Sequence, residues 1–508
     1  MILLLVVSVL LCLCLALLWF FNNAFSHWKN EGLEHFPPCI PFGNVKDMYI
    51  GKKGFGETFW HLFRDIKRMG WRHAGIYFYW NGLYMPTDPV IIKDILIGSF
   101  DSFKNRGFYI IKEDPLTQHL FNLEDTKWKN VRAQLSYLFT TGKMKCMLNT
   151  MLHQTNILSE VIEEELAKGE PISVKSLFAR YTTDVVMSCT MGIEMNSLRN
   201  KNAEILKHGH YFFFRTWSKL NNTIVLTIPR QILRSLGFKI THPTSEKFFK
   251  DMFNGIKDYR EKSNDNRNDL FDLMNKLTDE NYTKHQYDFS GKDHMDPLTF
   301  DETVAQVFSF YQAGFETSSS TISFGLMELA THPECQRRLR NEIQTVMARH
   351  QHKLTYECLQ EMEYLEMVMK ETLRLYPSLP LVPRVCTKDY TVPGTDFVLK
   401  PGTGVIISIM GIHRDPDLWP NPHAFDPERF SLKNRDKIVP YSWIPFGEGP
   451  RICVAHRFGQ IQSKLGIMTV IKDYEVELNE KSTPLTFSNK GFSLATTKGI
   501  WLNLKKLN

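Results

Sequence analysis

The chain has 508 residues, of which 43% are hydrophobic, 13% aromatic and 23% charged. This composition supplies a deep core and excludes extended disorder. A net charge of +6 is too small to indicate a nucleic-acid-binding protein, and no run of Lys and Arg with interleaved aromatic residues occurs.

The first predicted element is an apolar run from Met1 to Phe21, in which Ser8 is the only polar side chain. A helix of about 20 apolar residues crosses the hydrocarbon core of a bilayer. A cleaved signal peptide is the alternative, but it would have a shorter apolar core, a basic leader and a small-residue cleavage site. The pattern therefore favours an uncleaved membrane anchor over residues 1–27.

Two features predict that the rest of the chain faces the cytosol. No Lys or Arg precedes the apolar run, whereas Lys29, Lys46, Lys52 and Lys53 follow it, and such residues mark the cytosolic end of a span. The nine cysteines are scattered without paired spacing, which is typical of a reducing compartment.

Residues 28–44 contain HFPPCIPFGN, whose prolines favour an extended, stiff backbone, so we interpret this segment as a linker. The soluble domain is then expected over residues 45–508. No internal repeat or low-complexity block divides it. We therefore predict one large domain behind the anchor.

Most of this domain has the periodicity of helices. The clearest helix is predicted from about Asp301 to Thr331, because Thr299 and Glu302 have capping-box spacing and a His-Pro pair follows. The stretch FSLATTKGIWLNL at 492–504 alternates and contains a turn-like TKG, which predicts a hairpin. The predicted fold class is mainly α with small β-sheets.

The stretch PFGEGPRICVAHRFG at 445–459 sets one cysteine, Cys453, among residues suited to a flat ligand. A buried, inert cysteine is the simplest interpretation. However, Gly447 and Gly449 allow close approach, Phe446 offers an aromatic face, and Arg451 offers a bidentate donor to a carboxylate. A flat, carboxylate-bearing ligand held by a thiolate is a haem.

This stretch resembles the cysteine-ligand loop of the cytochrome P-450 superfamily of haem-thiolate monooxygenases. That loop reads Phe-x-x-Gly-x-Arg-x-Cys-x-Gly, and Phe446, Gly449, Arg451 and Cys453 match it. The resemblance implies haem b (iron protoporphyrin IX) with Cys453 as the axial ligand of the iron. Ala455 stands where the family usually has glycine, a change that crowds the next helix slightly.

A second motif, YQAGFETSSS, places Ala313 and Gly314 on the same helical face as Thr317. Small residues there could merely ease helix packing. The family's oxygen-activating helix has the same Ala/Gly-Gly-x-Asp/Glu-Thr pattern. The resemblance therefore implies catalytic roles in oxygen activation for Thr317 and in proton delivery for Glu316.

The stretch MKETLRLYP contains Glu371 and Arg374, which by themselves would be a surface ion pair. The family buries this Glu-x-x-Arg pair and joins it to an arginine of a Pro-Glu-Arg-Phe stretch, present here at 427–430. The resemblance thus implies a structural network of Glu371, Arg374 and Arg429.

Further arginines match positions that contact the haem propionates in the family. They are Arg132 with Trp128 in WKNVR, and Arg384 in PLVPR, in addition to Arg451. Taken singly, each arginine is weak evidence, because most arginines are solvated surface charges. The four motifs occur in the family's order along nearly the whole chain.

The finer similarity is to the insect microsomal branch, whose members mostly oxidise plant toxins, insecticides and hormones. It rests on RGFYIIKEDPLTQHLFNLEDTKWKNVR, RNDLFDLM and the Cys453 stretch. The resemblance implies an enzyme of the endoplasmic reticulum membrane. Asp125 replaces a glycine common in that branch, which we interpret as a loop change of little consequence.

The implied reaction inserts one atom of dioxygen into a lipophilic substrate, with two electrons from outside the chain. No dinucleotide or flavin fingerprint is present, so we expect an NADPH-dependent flavoprotein reductase to dock, and whether a small haem protein also donates electrons stays open. A basic counterpart to its acidic face is predicted from Lys127, Lys129, Lys143, Lys145, Arg457 and Lys464.

The resemblance also predicts a large apolar substrate pocket. Its expected lining is Phe108, Phe121, Phe310, Ala313, Leu381, Val382 and Leu494. The main alternative is a haem-thiolate isomerase or dehydratase that uses neither dioxygen nor a reductase. The pair Glu316 and Thr317 favours the monooxygenase, because a rearrangement needs no proton relay.

Overall fold

Helices make up most of the regular structure, and short strands make up the rest. The structure is a computed structural model, and it describes residues 1–213, 224–225, 228, 230–286, 288–289, 291, 294–488 and 491–507. The fold class predicted from the sequence, mainly α with small β-sheets, is confirmed.

The α-helices of the described chain are α1 (Ile2–Phe25), α2 (His27–Asn30), α3 (Lys46–Tyr49), α4 (Phe55–Arg68), α5 (Pro89–Lys93), α6 (Asp125–Ser136), α7 (Thr141–Leu166), α8 (Val174–Met191), α9 (Glu204–Phe213), α10 (Arg230–Ser235), α11 (Pro243–Ser263), α12 (Leu270–Lys276), α13 (Glu280–Thr283), α14 (Phe300–Thr331), α15 (Pro333–Arg349), α16 (Tyr356–Glu361), α17 (Glu363–Leu375), α18 (Ile409–His413) and α19 (His456–Asp473). The strands are β1 (His73–Phe78), β2 (Asn81–Pro86), β3 (Ile172–Ser173), β4 (Leu381–Val385), β5 (Tyr390–Thr391), β6 (Val398–Leu399), β7 (Gly404–Ser408), β8 (Tyr474–Leu478) and β9 (Trp501–Lys506).

The central helix is α14, and its predicted extent is confirmed. Its capping box is formed, since the Glu302 N–H donates to Thr299 Oγ1 at 3.2 Å and the Thr299 N–H donates to Glu302 Oε2 at 3.0 Å. The helix ends at Thr331, directly before the His-Pro pair. At 1.5 Å per residue it is about 48 Å long, and most of its side chains are buried. It therefore crosses the domain core.

The strands form small sheets beside the helices. One has the order β1-β2-β7-β4, in which β2 and β7 run parallel, and another has the order β3-β9-β8. Strands β5 and β6 form a two-stranded pair. Because β7 pairs with both β2 and β4, the first sheet joins the N-terminal part of the domain to the segment after α17.

The hairpin predicted over 492–504 is wrong in its pairing. Strand β9 pairs antiparallel with β8, Leu502 opposite Leu478, and with β3, Leu502 opposite Ile172. A shorter turn lies upstream, where the Ser488 N–H donates to the Ala495 carbonyl at 2.8 Å. The alternating pattern identified a strand but not its partners, which are distant in the sequence.

Helix α1 is long and apolar enough to cross a membrane, and none of its residues is buried. The segment that follows packs on the domain. Trp28 is 1% exposed, its Nε1–H donates to the Ile76 carbonyl at 3.1 Å, and its ring lies against Gly75. A Cβ at Gly75 would lie 2.4 Å from that ring, so the glycine is what admits the indole.

Candidate active site

The loop before α19 is shaped by glycines. Gly447 and Gly449 both have φ +72°, a conformation that favours glycine. A Cβ at Gly449 would lie 2.0 Å from the Leu96 carbonyl oxygen, so only glycine fits there. The loop closes with a hydrogen bond from the Cys453 N–H to the Phe446 carbonyl at 2.9 Å. The thiol is thus held on a tightly turned, preformed backbone.

The Cys453 thiol borders an internal space. Its side chain has accessible surface, yet burial raises its pKa, and both observations hold for a group that lines a cavity. The Ala455 N–H and the positive charges of Arg132 and Arg106 act in the opposite direction and lower that pKa. These groups favour the thiolate, the form of cysteine that binds metals.

Helix α14 is accessible at one place in its buried middle. Ala313 is exposed and Thr317 is half-buried, whereas Phe315 and Glu316 are buried. Such a gap in a core helix marks a cavity. The same stretch lies close to α19, since a Cβ at Gly459 would lie 3.7 Å from Ser318 Oγ. Gly314 instead allows α14 to pack closely against α8, because a Cβ there would lie 2.4 Å from the Val186 side chain.

Four arginines lie close together: Arg106, Arg132, Arg384 and Arg451. The positive charge of one or more neighbours in this group lowers the pKa of Arg106, Arg384 and Arg451. Arg106 Nη2 donates to the Arg451 carbonyl at 3.2 Å, and Arg132 Nη1 donates to the Ile452 carbonyl at 2.7 Å, one residue before Cys453. Sequence reasoning missed Arg106. It begins the stretch RGFYIIKEDPLTQHLFNLEDTKWKNVR, but the sequence assigns that arginine no role, and only the fold brings it to the other three.

The described part of the chain places no carboxylate within ion-pair distance of these arginines. In the described part of the chain none of them forms an ion pair with a carboxylate, and Arg384 Nε and Arg451 Nη1 have no hydrogen-bond acceptor. Burial, together with neighbouring arginines, lowers the pKa of Arg451 to about 8 and lowers that of Arg384 far below its ordinary value. Buried guanidinium groups are stabilised by anions, and the two propionates of a haem would supply them.

Trp128 completes this side of the site. It is 5% exposed, and the Arg451 guanidinium lies 3.9 Å from the centre of its ring. The ring orients the guanidinium by a cation–π contact rather than by a hydrogen bond. The accessible thiol, the accessible stretch of α14 and the arginines without a carboxylate partner in the described part of the chain together fit a haem.

Glu371, Arg374 and Arg429 come together in the core. Arg374 Nε and Nη2 each donate to a Glu371 oxygen at 2.7 Å, and Arg429 Nε donates to Glu371 Oε1 at 3.2 Å. The side chains of Glu371 and Arg374 are 0% exposed. Arg374 Nη1 also donates to the carbonyls of His413 and Pro422, both at 2.8 Å. The network therefore joins α17 to the loops before the Cys453 stretch.

Comparison with known families decides what this site belongs to. The sequence model described as Cytochrome P450 matches residues 37–503. The chain belongs to the cytochrome P450 family. Its members are haem monooxygenases, so this cytochrome P450 is an oxidoreductase that binds haem through a cysteine thiolate.

Several curated relatives match this chain over nearly its full length. Cytochrome P450 6a2 of Drosophila melanogaster is 36% identical over 508 residues, which cover 99% of each chain. Cytochrome P450 6k1 of Blattella germanica is 35% identical over 508 residues, or 98% of this chain and 96% of the relative. Cytochrome P450 6a8 of Drosophila melanogaster is 34% identical over 502 residues, or 98% of each chain. The resemblance to the insect branch is confirmed.

In this cytochrome P450 the side chains of Glu316 and Thr317, although adjacent in the sequence, face different neighbours. Thr317 Oγ1 donates to the Ala313 carbonyl at 2.5 Å, on the accessible side of α14. Glu316 is 0% exposed, and its Oε1 lies 3.0 Å from Lys175 Nζ of α8. The carboxylate thus points away from the accessible stretch, and its salt bridge is a contact that the motif does not predict.

The residues expected to line the substrate pocket divide into two groups. Phe108, Phe121 and Ala313 retain accessible surface, and the two rings lie 5.3 Å apart. Phe310 is buried and stacks on Phe139 with ring centres 5.6 Å apart. The remaining three, Leu381, Val382 and Leu494, are at most 8% exposed.

The predicted basic face is smaller than the sequence suggests. Lys464 is 5% exposed and its Nζ lies 2.7 Å from Glu366 Oε2, so its inclusion is wrong. Lys127 pairs with Glu302 and Lys145 with Glu357, which neutralises both. Lys129, Lys143 and Arg457 remain without a carboxylate partner in the described part of the chain.

Proposed function

We propose that this enzyme inserts one atom of dioxygen into a lipophilic substrate and draws its electrons from an NADPH-dependent flavoprotein reductase. The observation that carries the proposal is the accessible stretch of α14 at Ala313 and Thr317 beside a loop that presents an accessible cysteine. No nucleotide-binding fingerprint occurs in the sequence, so the electrons come from a partner.

The proposed haem-binding residues surround this space. Cys453 would ligate the iron, Phe446 and Gly449 would shape the loop beneath the ring, and Arg106, Arg132, Arg384, Arg451 and Trp128 would hold the propionates. The Ala455 N–H favours the thiolate by donating to the sulfur. When bound, the haem supplies the activation of dioxygen by an iron with a thiolate ligand.

Thr317 and Glu316 are the proposed catalytic residues of the protein itself. Thr317 places a hydroxyl on the accessible side of α14, where it could hold and pass on a proton on the side that would face the haem. Glu316 lies one residue away in a polar cluster that includes Lys175 and Ser493. In this scheme Glu316 supplies the protons and Thr317 delivers them.

The substrate class is inferred from the accessible part of the pocket. Phe108 and Phe121 present two aromatic rings, and the Arg106 guanidinium lies 4.0 Å from the centre of the Phe121 ring. Aromatic walls favour flat, apolar substrates. We propose a lipophilic xenobiotic such as a plant toxin or an insecticide, or an endogenous compound resembling a steroid or a fatty acid.

The proposed location is the endoplasmic reticulum membrane, with residues 1–27 as a single-pass anchor, residues 28–44 as the linker and residues 45–508 as the catalytic domain in the cytosol. The apolar helix α1 and the lysines that follow it support this orientation. The burial of Trp28 supports a linker that fixes the pose of the domain at the membrane.

Turnover of a fluorogenic alkoxycoumarin by membranes containing the enzyme and purified reductase tests the proposal. We expect formation of hydroxycoumarin that requires both NADPH and dioxygen, with one atom of labelled dioxygen in the aldehyde that O-dealkylation releases and the other in water. Rearrangement of an organic peroxide without NADPH or reductase, and no reductase-dependent turnover, would instead indicate a haem-thiolate isomerase.

A further inference from the structure

The buried carboxylate of Glu316 has one charged partner in the described part of the chain, Lys175 at the start of α8. Lys175 Nζ lies 3.0 Å from Glu316 Oε1 and donates to Ser319 Oγ at 2.7 Å and to Ser320 Oγ at 2.8 Å. It also donates to the Glu316 carbonyl at 3.1 Å. The ammonium thus binds one turn of the oxygen-activating helix.

Within the described residues, the hydrogen bonds and the ion pair of the carboxylate side chain all involve one oxygen, Oε1. Ser320 Oγ donates to Oε1 at 3.4 Å and Ser493 Oγ donates to it at 3.3 Å, in addition to the Lys175 contact. The second oxygen, Oε2, is buried and has no hydrogen-bond partner among the residues that the structure describes. A buried carboxylate oxygen without a partner is costly, so the remaining contacts must hold this orientation.

This orientation separates Glu316 from its catalytic neighbour. Successive residues of an α-helix are about 100° apart around the axis, so adjacent side chains face different elements. The Glu316 carboxylate faces Lys175 of α8, while Thr317 lies on the accessible stretch with Ala313. A proton can pass from Glu316 toward Thr317 only if the carboxylate turns or a water bridges them.

Lys175 also connects the cluster to solvent. Its side chain is 24% exposed, whereas Glu316 is 0% exposed and Ser319, Ser320 and Ser493 are buried. Burial lowers the pKa of Lys175, and the charge of Glu316 opposes that shift. The pair therefore joins a buried carboxylate to an ammonium group that reaches water.

We propose that Lys175 is a positioning residue for proton delivery: it holds the Glu316 carboxylate ionised and turned toward α8 before a proton passes toward Thr317. The inference rests on the proposed role of Glu316. It adds a residue outside the motif that controls how that carboxylate is presented. Removing the ammonium leaves an unpaired buried carboxylate, which takes up a proton and loses its fixed orientation.

The test compares Lys175→Met with Lys175→Arg in the full-length, haem-loaded enzyme. Lys250→Met is the matched control, because Lys250 is 27% exposed and also bridges two carboxylates, Glu246 and Asp301, on α11 and α14. Lys175→Gln keeps a donor for the serines without the charge and serves as the second neutral variant if the methionine variant does not bind haem.

The first measurement is infrared spectroscopy at neutral pH, in which the spectrum of each variant is compared with that of the wild type. We expect Lys175→Met to show the carbonyl stretch of a protonated, buried carboxylic acid, which the wild type and Lys175→Arg lack. The band should vanish in Lys175→Met/Glu316→Gln. Its absence from both neutral variants would overturn the claim that Lys175 holds Glu316 ionised.

The second measurement is coupling, the product formed per NADPH consumed with reductase and alkoxycoumarin. We expect Lys175→Met to lower it on the order of tenfold, with more hydrogen peroxide and an unchanged KM, and Lys175→Arg to restore most of it. The double variant should be no worse than Glu316→Gln alone, whereas additive losses would overturn the proposal. If Glu316→Gln leaves coupling unchanged, the role of Glu316 fails instead, and the infrared band still reports on the Lys175 contact.

Discussion

The guanidinium of Arg451 lies 3.9 Å from the centre of the Trp128 ring, and its Nη1 has no hydrogen-bond acceptor among the described residues. Both groups are buried, although Trp128 and Arg451 are separated by more than 300 residues in the sequence. A planar cation that is held by an aromatic ring and lacks an anion is ready to bind a carboxylate.

Arg451→Gln should therefore weaken haem binding. The glutamine keeps polar contacts but removes the charge that would face a propionate, so we expect a loss of haem content on the order of tenfold after dilution or gel filtration. The measurement is haem per protein by absorbance. Arg340→Gln is the control, since Arg340 is a half-buried arginine that donates to the Ile471 and Tyr474 carbonyls. Equal haem loss in both variants would contradict the assignment.

Two residues of the Glu371 network, Glu371 and Arg429, should differ in their effect on stability. Glu371→Ala leaves Arg374 buried without its partner, which costs about 3–5 kcal/mol of the free energy of unfolding. Arg429→Ala removes the contact with Glu371 and a hydrogen bond to the Asn421 carbonyl, from a side chain that is 10% exposed, so we expect a smaller loss of about 1–3 kcal/mol. Denaturant unfolding measures both, and a larger loss for Arg429→Ala would contradict the ranking.

Asp125, interpreted from the sequence as a change of little consequence, has a specific structural role. Its φ is +50°, and it compensates by accepting from Lys104 Nζ at 2.8 Å and from Asn105 Nδ2 at 3.1 Å. Asp125→Ala keeps the strained backbone and loses these contacts, whereas Asp125→Gly loses the contacts but relieves the strain. We expect the free energy of unfolding of the glycine variant to exceed that of the alanine variant by about 1 kcal/mol in denaturant unfolding. Equal stability of the two variants would argue against backbone strain at this position.

The reductase surface should depend on the lysines and arginine that have no carboxylate partner. Charge reversal of Lys129, Lys143 and Arg457 should raise the reductase concentration needed for half-maximal turnover, most strongly at low salt. Stopped-flow reduction and steady-state titration measure this effect. Lys498→Glu, in an exposed position of the C-terminal segment, is the control. Unchanged titrations for all three reversals would place the docking surface elsewhere.

The sequence predicts best what depends on local spacing. The capping box of α14 and the pairing of Glu371 with Arg374 are three-residue relationships within one helix, and the structure shows both contacts. Contacts between distant segments are different. Arg106 and Lys175 join the site only through the packing of the fold, and the pairing of β9 with β3 spans more than 300 residues. No rule based on the spacing of residues in the sequence predicts these contacts.

The carbon monoxide difference spectrum of the reduced, membrane-bound enzyme tests the central claim that Cys453 is the thiolate ligand of a haem. We expect a strongly red-shifted Soret band in the wild type, because a thiolate donates electron density to the iron. Cys453→Ala should abolish that band, while a variant of a buried cysteine outside the site, Cys189→Ala, should retain it. A red-shifted band that survives in Cys453→Ala, or no haem in the wild type, would contradict the account.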